Sequence, residues 1–104
     1  MNVKTHNDTH IDIVGTCLQG IINISYDKLV KVFGEPTDGD GYKVDAEWML
    51  EFDNGDVATI YNYKDGVNYN GPSGLDKENI TEWHIGGHSK RVVPLIKNYI
   101  KECL

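Results

Sequence analysis

The segment best suited to bind an anion is EWHIGGHSKR, residues 82–91. A strand-like apolar run meets a pair of glycines, and a helical pattern then begins with polar and basic residues. Backbone N–H groups in a glycine turn before a helix form a concave donor surface, and arginine adds a planar fork for phosphate or carboxylate oxygens. A plain turn with solvated charges explains the same pattern, and the P-loop spacing is absent. Gly86, Gly87 and Arg91 are predicted to hold the anion, with Ser89 or Lys90 assisting, and His84 is a further predicted ligand-binding residue of this segment.

Two tyrosines near the middle of the chain extend this hypothesis. Tyr63 directly precedes a glycine-rich stretch at residues 64–79, and Tyr69 lies within it. Trp48 and Trp83 lie in strand-like runs. Aromatic faces beside a basic, glycine-lined turn suit a nucleotide base and its phosphate. Tyr63 and Tyr69 therefore join the predicted ligand-binding residues, whereas the two tryptophans are expected in the hydrophobic core.

Histidine and nucleophile patterns argue against a metal site and against catalysis. The HxxxH spacing occurs at residues 6–10 and 84–88, but neither pair falls in a helix that would bring both rings to one face, and no third ligand accompanies them. Ser73 lacks the strand-to-helix frame of a nucleophile elbow, and Cys17 lies in an apolar stretch and is expected in the core. We therefore expect no metal, no cofactor and no enzymatic activity.

Composition limits the classes of partner. The chain has 104 residues, is 39% apolar and carries a formal net charge of −6 at pH 7, which suits one small packed domain. An acidic chain offers no broad basic face, so neither nucleic acid nor a membrane is an expected partner. The N-terminal residues are polar, and no apolar run approaches the roughly 18–20 residues of a membrane span. We expect a cytoplasmic protein with a flexible arm at residues 1–8 and a single domain at residues 9–104.

Local signals place the first strand and the first helix. A strand is predicted at residues 9–17, with a bulge or a close backbone approach near Gly15 and Gly20. Ser25 is a good N-cap for the helix, and Gly34 suits the left-handed position that closes it. The apolar stripe expected to face the sheet consists of Tyr26, Leu29, Val30 and Phe33.

A hairpin is predicted around Asn54-Gly55, the strongest short turn signal in the chain. With a two-residue turn, Leu50 would pair with Thr59. The second face of the sheet would then carry Ala58, Ile60 and Met49. Because two short helices can cover only one face, this apolar second face predicts a homodimer.

The C-terminal part of the chain completes the predicted fold. A strand is expected at residues 80–85, and a helix begins near Arg91 with Pro94 in its first turn. Residues 64–79 form a long loop, and loops of this length are usually functional or disordered. The predicted class is α+β: an antiparallel β-sheet of about four strands with two helices on one face, in the order β-α-β-β-β-α.

Four sequence blocks are distinctive: GTCLQG, SYDKLVKVFGEP, DAEWMLEFDNGDVATIYNYKDG and ITEWHIGG. Taken together they resemble a group of small, mostly uncharacterised bacteriophage proteins, over roughly residues 14–100. The resemblance implies a phage context, in which small acidic proteins often act against host defence. Some of them sequester nucleotide signals, and others block a defence protein directly, as anti-CRISPR proteins do. No catalytic residue follows from the resemblance.

These observations leave two main functions open, with a small hydrolase of unrecognised chemistry as a third. The first is a non-catalytic counter-defence protein that sequesters a small phosphorylated ligand, such as a cyclic nucleotide or an ADP-ribose-type signal, in a pocket between subunits. The second is an acidic inhibitor that binds a host defence protein. Salt dependence separates the two functions, because only binding through a broad charged interface weakens steeply as the ionic strength rises. Its carboxylates would be Asp38, Asp40, Asp45, Glu47, Asp53 and Asp56.

Overall fold

The computed structural model describes residues 3–5, 15–39 and 41–104, and within them an antiparallel sheet packs against helices. The strands are β1 (Val3–Thr5), β2 (Cys17–Asn23), β3 (Glu47–Phe52), β4 (Val57–Tyr61) and β5 (Glu82–Gly87). The helices are α1 (Tyr26–Phe33), α2 (Val67–Asn70) and α3 (Val92–Cys103). Across the sheet the strands run β1-β3-β4-β5-β2. The predicted α+β class is confirmed, and β1 and the short α2 are additional to the predicted order.

The N-terminal part of the chain differs from its prediction. Val3–Thr5 form β1 and pair with β3, so part of the predicted flexible arm at residues 1–8 belongs to the sheet. Most of the strand predicted at residues 9–17 lies outside the described residues, and β2 runs further along the chain, from Cys17 to Asn23. The bulge predicted near Gly20 is confirmed, because the pairing of β2 with β5 shifts register between Leu18 and Gly20.

Helix α1 follows its sequence signals closely. The Ser25 hydroxyl accepts a hydrogen bond from the Lys28 backbone N–H at 3.3 Å, and Gly34 takes a φ of +84° just after the helix ends. Leu29 is fully buried, and Tyr26 and Phe33 are also part of the buried core. The N-cap, the closing glycine and the apolar stripe were all predicted, and they place this helix on the core face of the sheet.

The hydrophobic core lies between one face of the sheet and the two longer helices. Helix α3 begins one residue after Arg91, with Pro94 in its first turn, as predicted. Trp48 and Trp83 are both fully buried, and their rings meet edge to face with centroids 5.2 Å apart. Each indole N–H donates to a backbone carbonyl, so neither tryptophan leaves a buried donor unpaired.

Among the described residues, none of the helices has both the length and the apolar character that a membrane-spanning helix needs.

The predicted register of the β3–β4 hairpin is wrong by one residue. Leu50 pairs with Ala58 rather than with Thr59. The Phe52 N–H donates to the Asp56 carbonyl at 2.8 Å, so three residues rather than two form the loop, and Gly55 takes a φ of +89°. Three-residue hairpin loops commonly end on a residue with positive φ, and Gly55 occupies that position here.

The register also changes which side chains share a face. A shift of one residue moves side chains to the opposite face, so Ala58 and Ile60 join the buried core beside Leu50. The other face carries Thr59 and polar or half-buried side chains instead. The predicted apolar second face therefore loses two of its three members. The homodimer itself stays a prediction.

Candidate functional site

Gly86 and Gly87 are the last two residues of β5, not the turn that the sequence predicted. β5 lies between β4 and β2, and Gly86 stands opposite Thr59 on one side and Leu18 on the other. Backbone groups of an interior strand point toward its neighbours in the sheet. The glycine pair therefore does not form the concave donor surface that was expected before the helix.

The two glycines serve close packing instead. A Cβ on Gly86 would lie 2.6 Å from the Thr59 hydroxyl oxygen, and a Cβ on Gly87 would lie 2.8 Å from a methyl carbon of Val92. Neither φ angle is positive, so the need for glycine comes from space and not from backbone conformation. Gly87 lets the first turn of α3 lie against the sheet.

The Arg91 guanidinium forms a two-pronged ion pair with Asp56 of the hairpin loop. Its Nε donates to one carboxylate oxygen at 2.8 Å, and an Nη donates to the other. This hydrogen-bonded partner holds the pKa of Asp56 below its ordinary value. The fork predicted to bind a ligand is therefore engaged with Asp56, and an anion would have to compete with that carboxylate. Anion binding by Ser89, Lys90 and Arg91 stays a prediction.

The other predicted ligand-binding residues lie near Lys64, a residue that the sequence did not indicate. They are Tyr63, Tyr69 and His84. The Lys64 Nζ lies 5.3 Å from the ring centroid of Tyr63 and 5.5 Å from that of Tyr69. Tyr63 is also near-parallel to His84, with centroids 6.0 Å apart. Tyr63 is 42% exposed and Tyr69 is 39% exposed, so the rings are accessible. We call Tyr63, Lys64, Tyr69 and His84 the lysine–tyrosine surface.

Further aromatic side chains extend this surface on two sides. The Tyr42 ring lies 5.3 Å from Tyr69, and the Tyr61 ring lies 5.5 Å from His84 in an edge-to-face arrangement. Burial, followed by the nearby Glu47 carboxylate, raises the pKa of Tyr61 above its ordinary value. Tyr61 is therefore neutral at physiological pH and supplies an uncharged ring.

Lys64 has an unusual backbone conformation. Its φ of +62° makes it the one non-glycine residue with positive φ among the described residues. For a residue with a Cβ, this left-handed conformation costs roughly 1–2 kcal/mol. The Lys64 N–H donates to the Lys43 carbonyl at 2.8 Å, and the Lys64 carbonyl accepts from the Asn70 side chain at 2.7 Å. Strained residues held by their surroundings cluster at functional sites.

A buried hydrogen-bond network anchors the segment that carries Lys64. The Asn62 amide oxygen accepts from the backbone N–H groups of Asp45 and Ala46, at 2.7 and 3.1 Å. Its NH₂ group donates to the carboxylates of Asp45 and Asp65, at 3.0 and 2.9 Å. Asp45 also accepts from the backbone N–H of Asn68. Residues 64–79, predicted as a long loop, are thereby ordered into α2 and two 3₁₀ turns.

An acidic cavity of about 420 Å³ is lined by residues from three segments of the chain, 38–45, 67–68 and 76–78. Gly41 and Asn68 line it, and each is followed in the chain by a tyrosine of the aromatic group, Tyr42 and Tyr69. Four carboxylates and a single ammonium group line the cavity, so it disfavours anions. These charged residues are Asp38, Asp45, Asp76, Glu78 and Lys77.

The structure also locates the other residues considered for chemistry. Cys17 is exposed, so its predicted place in the core is wrong. His84 lies within β5, and His88 follows the strand in the exposed turn before α3. His6 and His10 lie outside the described residues. Across residues 3–5, 15–39 and 41–104, no group of three His, Cys, Asp or Glu side chains is arranged to hold a metal ion.

Comparison with known protein families and with curated proteins gives no match to this chain. The geometry of the site is therefore the evidence for a function. Of the predicted ligand-binding residues, Tyr63 contacts His84, and Tyr63 and Tyr69 both contact Lys64. Their role in binding stays a prediction. The Asp65-Gly66 pair signals a turn after Lys64, but no sequence signal marks a left-handed lysine.

Proposed function

We propose that this is a non-catalytic binding protein that captures a small phosphorylated ligand with a planar ring, of the nucleotide class. The observation that carries the proposal is the ammonium group of Lys64, held beside two exposed tyrosine rings by a strained but well-anchored backbone. The ligand ring would stack on Tyr63 or Tyr69, with His84 as a second ring, and the Lys64 ammonium would pair with the phosphate.

The energies of these contacts suit capture of a small molecule. Stacking of a base on an aromatic side chain contributes about 1–3 kcal/mol. A hydrogen bond to a charged group contributes about 1.5–3 kcal/mol. Because the network around Asn62 already orders the segment, little further conformational entropy is lost when a ligand binds. Nothing in this arrangement requires a nucleophile, so binding without turnover fits it best.

The wider role belongs to the same proposal. The resemblance to small bacteriophage proteins supports sequestration of a nucleotide signal of host defence in the host cytoplasm, with a homodimer as the assembled form. The second candidate is an acidic inhibitor of a host defence complex, and the carboxylate-lined cavity favours it. Of its predicted carboxylates, Asp45 is buried in the network and Asp56 is paired with Arg91, while Asp40 lies outside the described residues.

Titration calorimetry tests this proposal with a panel of cyclic mononucleotides, cyclic dinucleotides and ADP-ribose. We expect Lys64→Gln to weaken binding of the best ligand about 10- to 150-fold, the loss expected for one charge-assisted hydrogen bond. Lys90→Gln is the matched control, because it removes the same charge from the exposed turn before α3. Equal affinity in wild type and Lys64→Gln would exclude the lysine–tyrosine surface. Loss of affinity in Lys90→Gln and Arg91→Ala would instead support the site predicted at the start of α3.

A further inference from the structure

We infer that the lysine–tyrosine surface binds two planar bases at once, one on Tyr63 and one on Tyr69, with a phosphate that joins them paired to Lys64. The inference rests on the proposed function and narrows its ligand class to dinucleotides. A ligand with one base fills only half of this surface, whatever the number of its phosphate groups.

The Lys64 ammonium bridges two tyrosine rings from different segments of the chain. Tyr63 follows the end of β4, and Tyr69 lies in α2. The Lys64 Nζ is 5.3 Å from the first ring centroid and 5.5 Å from the second, and both distances are within the roughly 6 Å of a cation–π contact. A phosphate that pairs with Lys64 would therefore lie close to both rings.

The two tyrosines belong to separate aromatic pairs. Tyr63 lies near-parallel to His84 with centroids 6.0 Å apart, and the Tyr69 ring lies 5.3 Å from the Tyr42 ring. Both Tyr63 and Tyr69 are exposed. Because every base has a flat π-face, each exposed ring can accept a stacked base of any sequence. The surface thus offers two stacking positions, one in each pair.

Hydrogen bonds fix the position of Tyr69 relative to Lys64. On one side of Tyr69, the Asn70 side chain donates to the Lys64 carbonyl at 2.7 Å. On the other side, the Asn68 backbone N–H donates to the Asp45 carboxylate at 3.2 Å. The spacing of the two rings is therefore set before a ligand arrives, and little affinity is lost to ordering them.

The Lys64 ammonium occupies ring surface that the bases would need. A cation–π contact at an exposed site is weaker than a hydrogen bond between an ammonium and a charged oxygen. The Lys64 side chain is exposed, so its ammonium can move from the rings to the phosphate while the bases take its place. The same lysine thereby covers both rings in the free protein and pairs with the ligand in the complex.

Four adenine ligands that combine one or two bases with one or two phosphates test the inference by titration calorimetry on the full chain. The one-base ligands are 3′,5′-cyclic AMP, with one phosphate, and ADP-ribose, with two. The two-base ligands are the linear dinucleoside monophosphate ApA, with one phosphate, and cyclic di-AMP, with two. At equal phosphate number, we expect the two-base ligand to bind about 5- to 150-fold more tightly, the gain for one more stacked base.

Tyrosine variants test whether the preference comes from these two rings. Tyr69→Leu should remove most of the two-base preference and should weaken cyclic AMP much less, because a single base can still stack on Tyr63. Tyr63→Leu should act in the same way through Tyr69. Tyr99→Leu is the matched control and should keep the wild-type preference, since Tyr99 lies half-buried on α3 and stacks on Phe33.

The outcomes separate this inference from the proposed function. If one-base and two-base ligands of equal phosphate number bind equally tightly, or if affinity follows the number of phosphates, the two-base arrangement is wrong and nucleotide capture stands. If the two-base preference survives in both Tyr63→Leu and Tyr69→Leu, these rings are not the stacking positions and the inference fails. If none of the four ligands binds, both the inference and the proposed function fail.

Discussion

The left-handed backbone of Lys64 predicts that glycine at position 64 gives a more stable protein than alanine. For a residue with an ordinary backbone conformation, the order of stability would be the reverse. At a φ of +62°, alanine keeps the left-handed penalty of roughly 1–2 kcal/mol, and glycine removes it. Glycine in turn costs about 0.5–1 kcal/mol because the unfolded chain is more flexible. Both variants lose the same cation–π contacts with Tyr63 and Tyr69. Lys64→Gly should therefore be more stable than Lys64→Ala by about 0.5–1 kcal/mol, the difference of these terms.

Chemical denaturation and thermal unfolding measure this difference. For a domain of this size, it corresponds to a Tm about 2–8 °C higher for Lys64→Gly than for Lys64→Ala. Lys97, exposed within α3, is the matched control, and there glycine should be less stable than alanine by about 1 kcal/mol. If alanine equals or exceeds glycine at position 64, the backbone of Lys64 is not left-handed. In that case the fold would not hold the Lys64 ammonium under strain.

Four further expectations follow from the packing, the ion pair and the predicted assembly. Leu29→Ala should lower the free energy of unfolding by about 2–5 kcal/mol in urea denaturation, since Leu29 is fully buried; an unchanged midpoint would contradict the packing of α1. Gly87→Ala should lower the free energy of unfolding by about 1–3 kcal/mol through overpacking. Adding Val92→Ala to that variant should recover part of the loss, because the clash is with a methyl group of Val92. The pKa of Asp56 is held below its ordinary 3.8 by Arg91, so the stability advantage of wild type over Arg91→Ala should be present at neutral pH and vanish as the pH falls through the lowered pKa. An advantage that persists in acid would exclude this ion pair as its source. Light scattering at tens of micromolar should show a homodimer, and a clean monomer of 11.7 kDa would refute it.

Sequence signals predicted the local structure well where neighbouring residues decide it. The N-cap Ser25, the closing Gly34 and the apolar stripe define α1 without help from the rest of the chain. The hairpin was also found, but not its register. The Asn54 side chain accepts a hydrogen bond from the Asp56 N–H at 2.9 Å, which favours the three-residue loop over the two-residue turn. One residue of register then decided the face on which Ala58 and Ile60 lie.

Part of the candidate site could be predicted, because the type of a side chain already shows which contacts it can make. The tyrosines and His84 carry their chemistry in the sequence, and the order of the strands brings Tyr63 and His84 together. A glycine pair is ambiguous, because a turn and a close approach both need glycine, and only the three-dimensional contact of Gly87 with Val92 decides between them. Lys64 was missed because its conformation depends on the distant carbonyl of Lys43 and on the Asn70 side chain.

A titration with 3′,5′-cyclic AMP, followed by two-dimensional amide NMR, tests most directly whether the lysine–tyrosine surface is the binding site. We expect the largest chemical-shift changes at the backbone amides of Tyr63, Lys64, Tyr69 and His84, the residues of the lysine–tyrosine surface. We expect small changes at residues 86–91, where β5 ends and Arg91 pairs with Asp56. No change at millimolar ligand, or changes confined to residues 86–91, would contradict the claim that the lysine–tyrosine surface is the binding site.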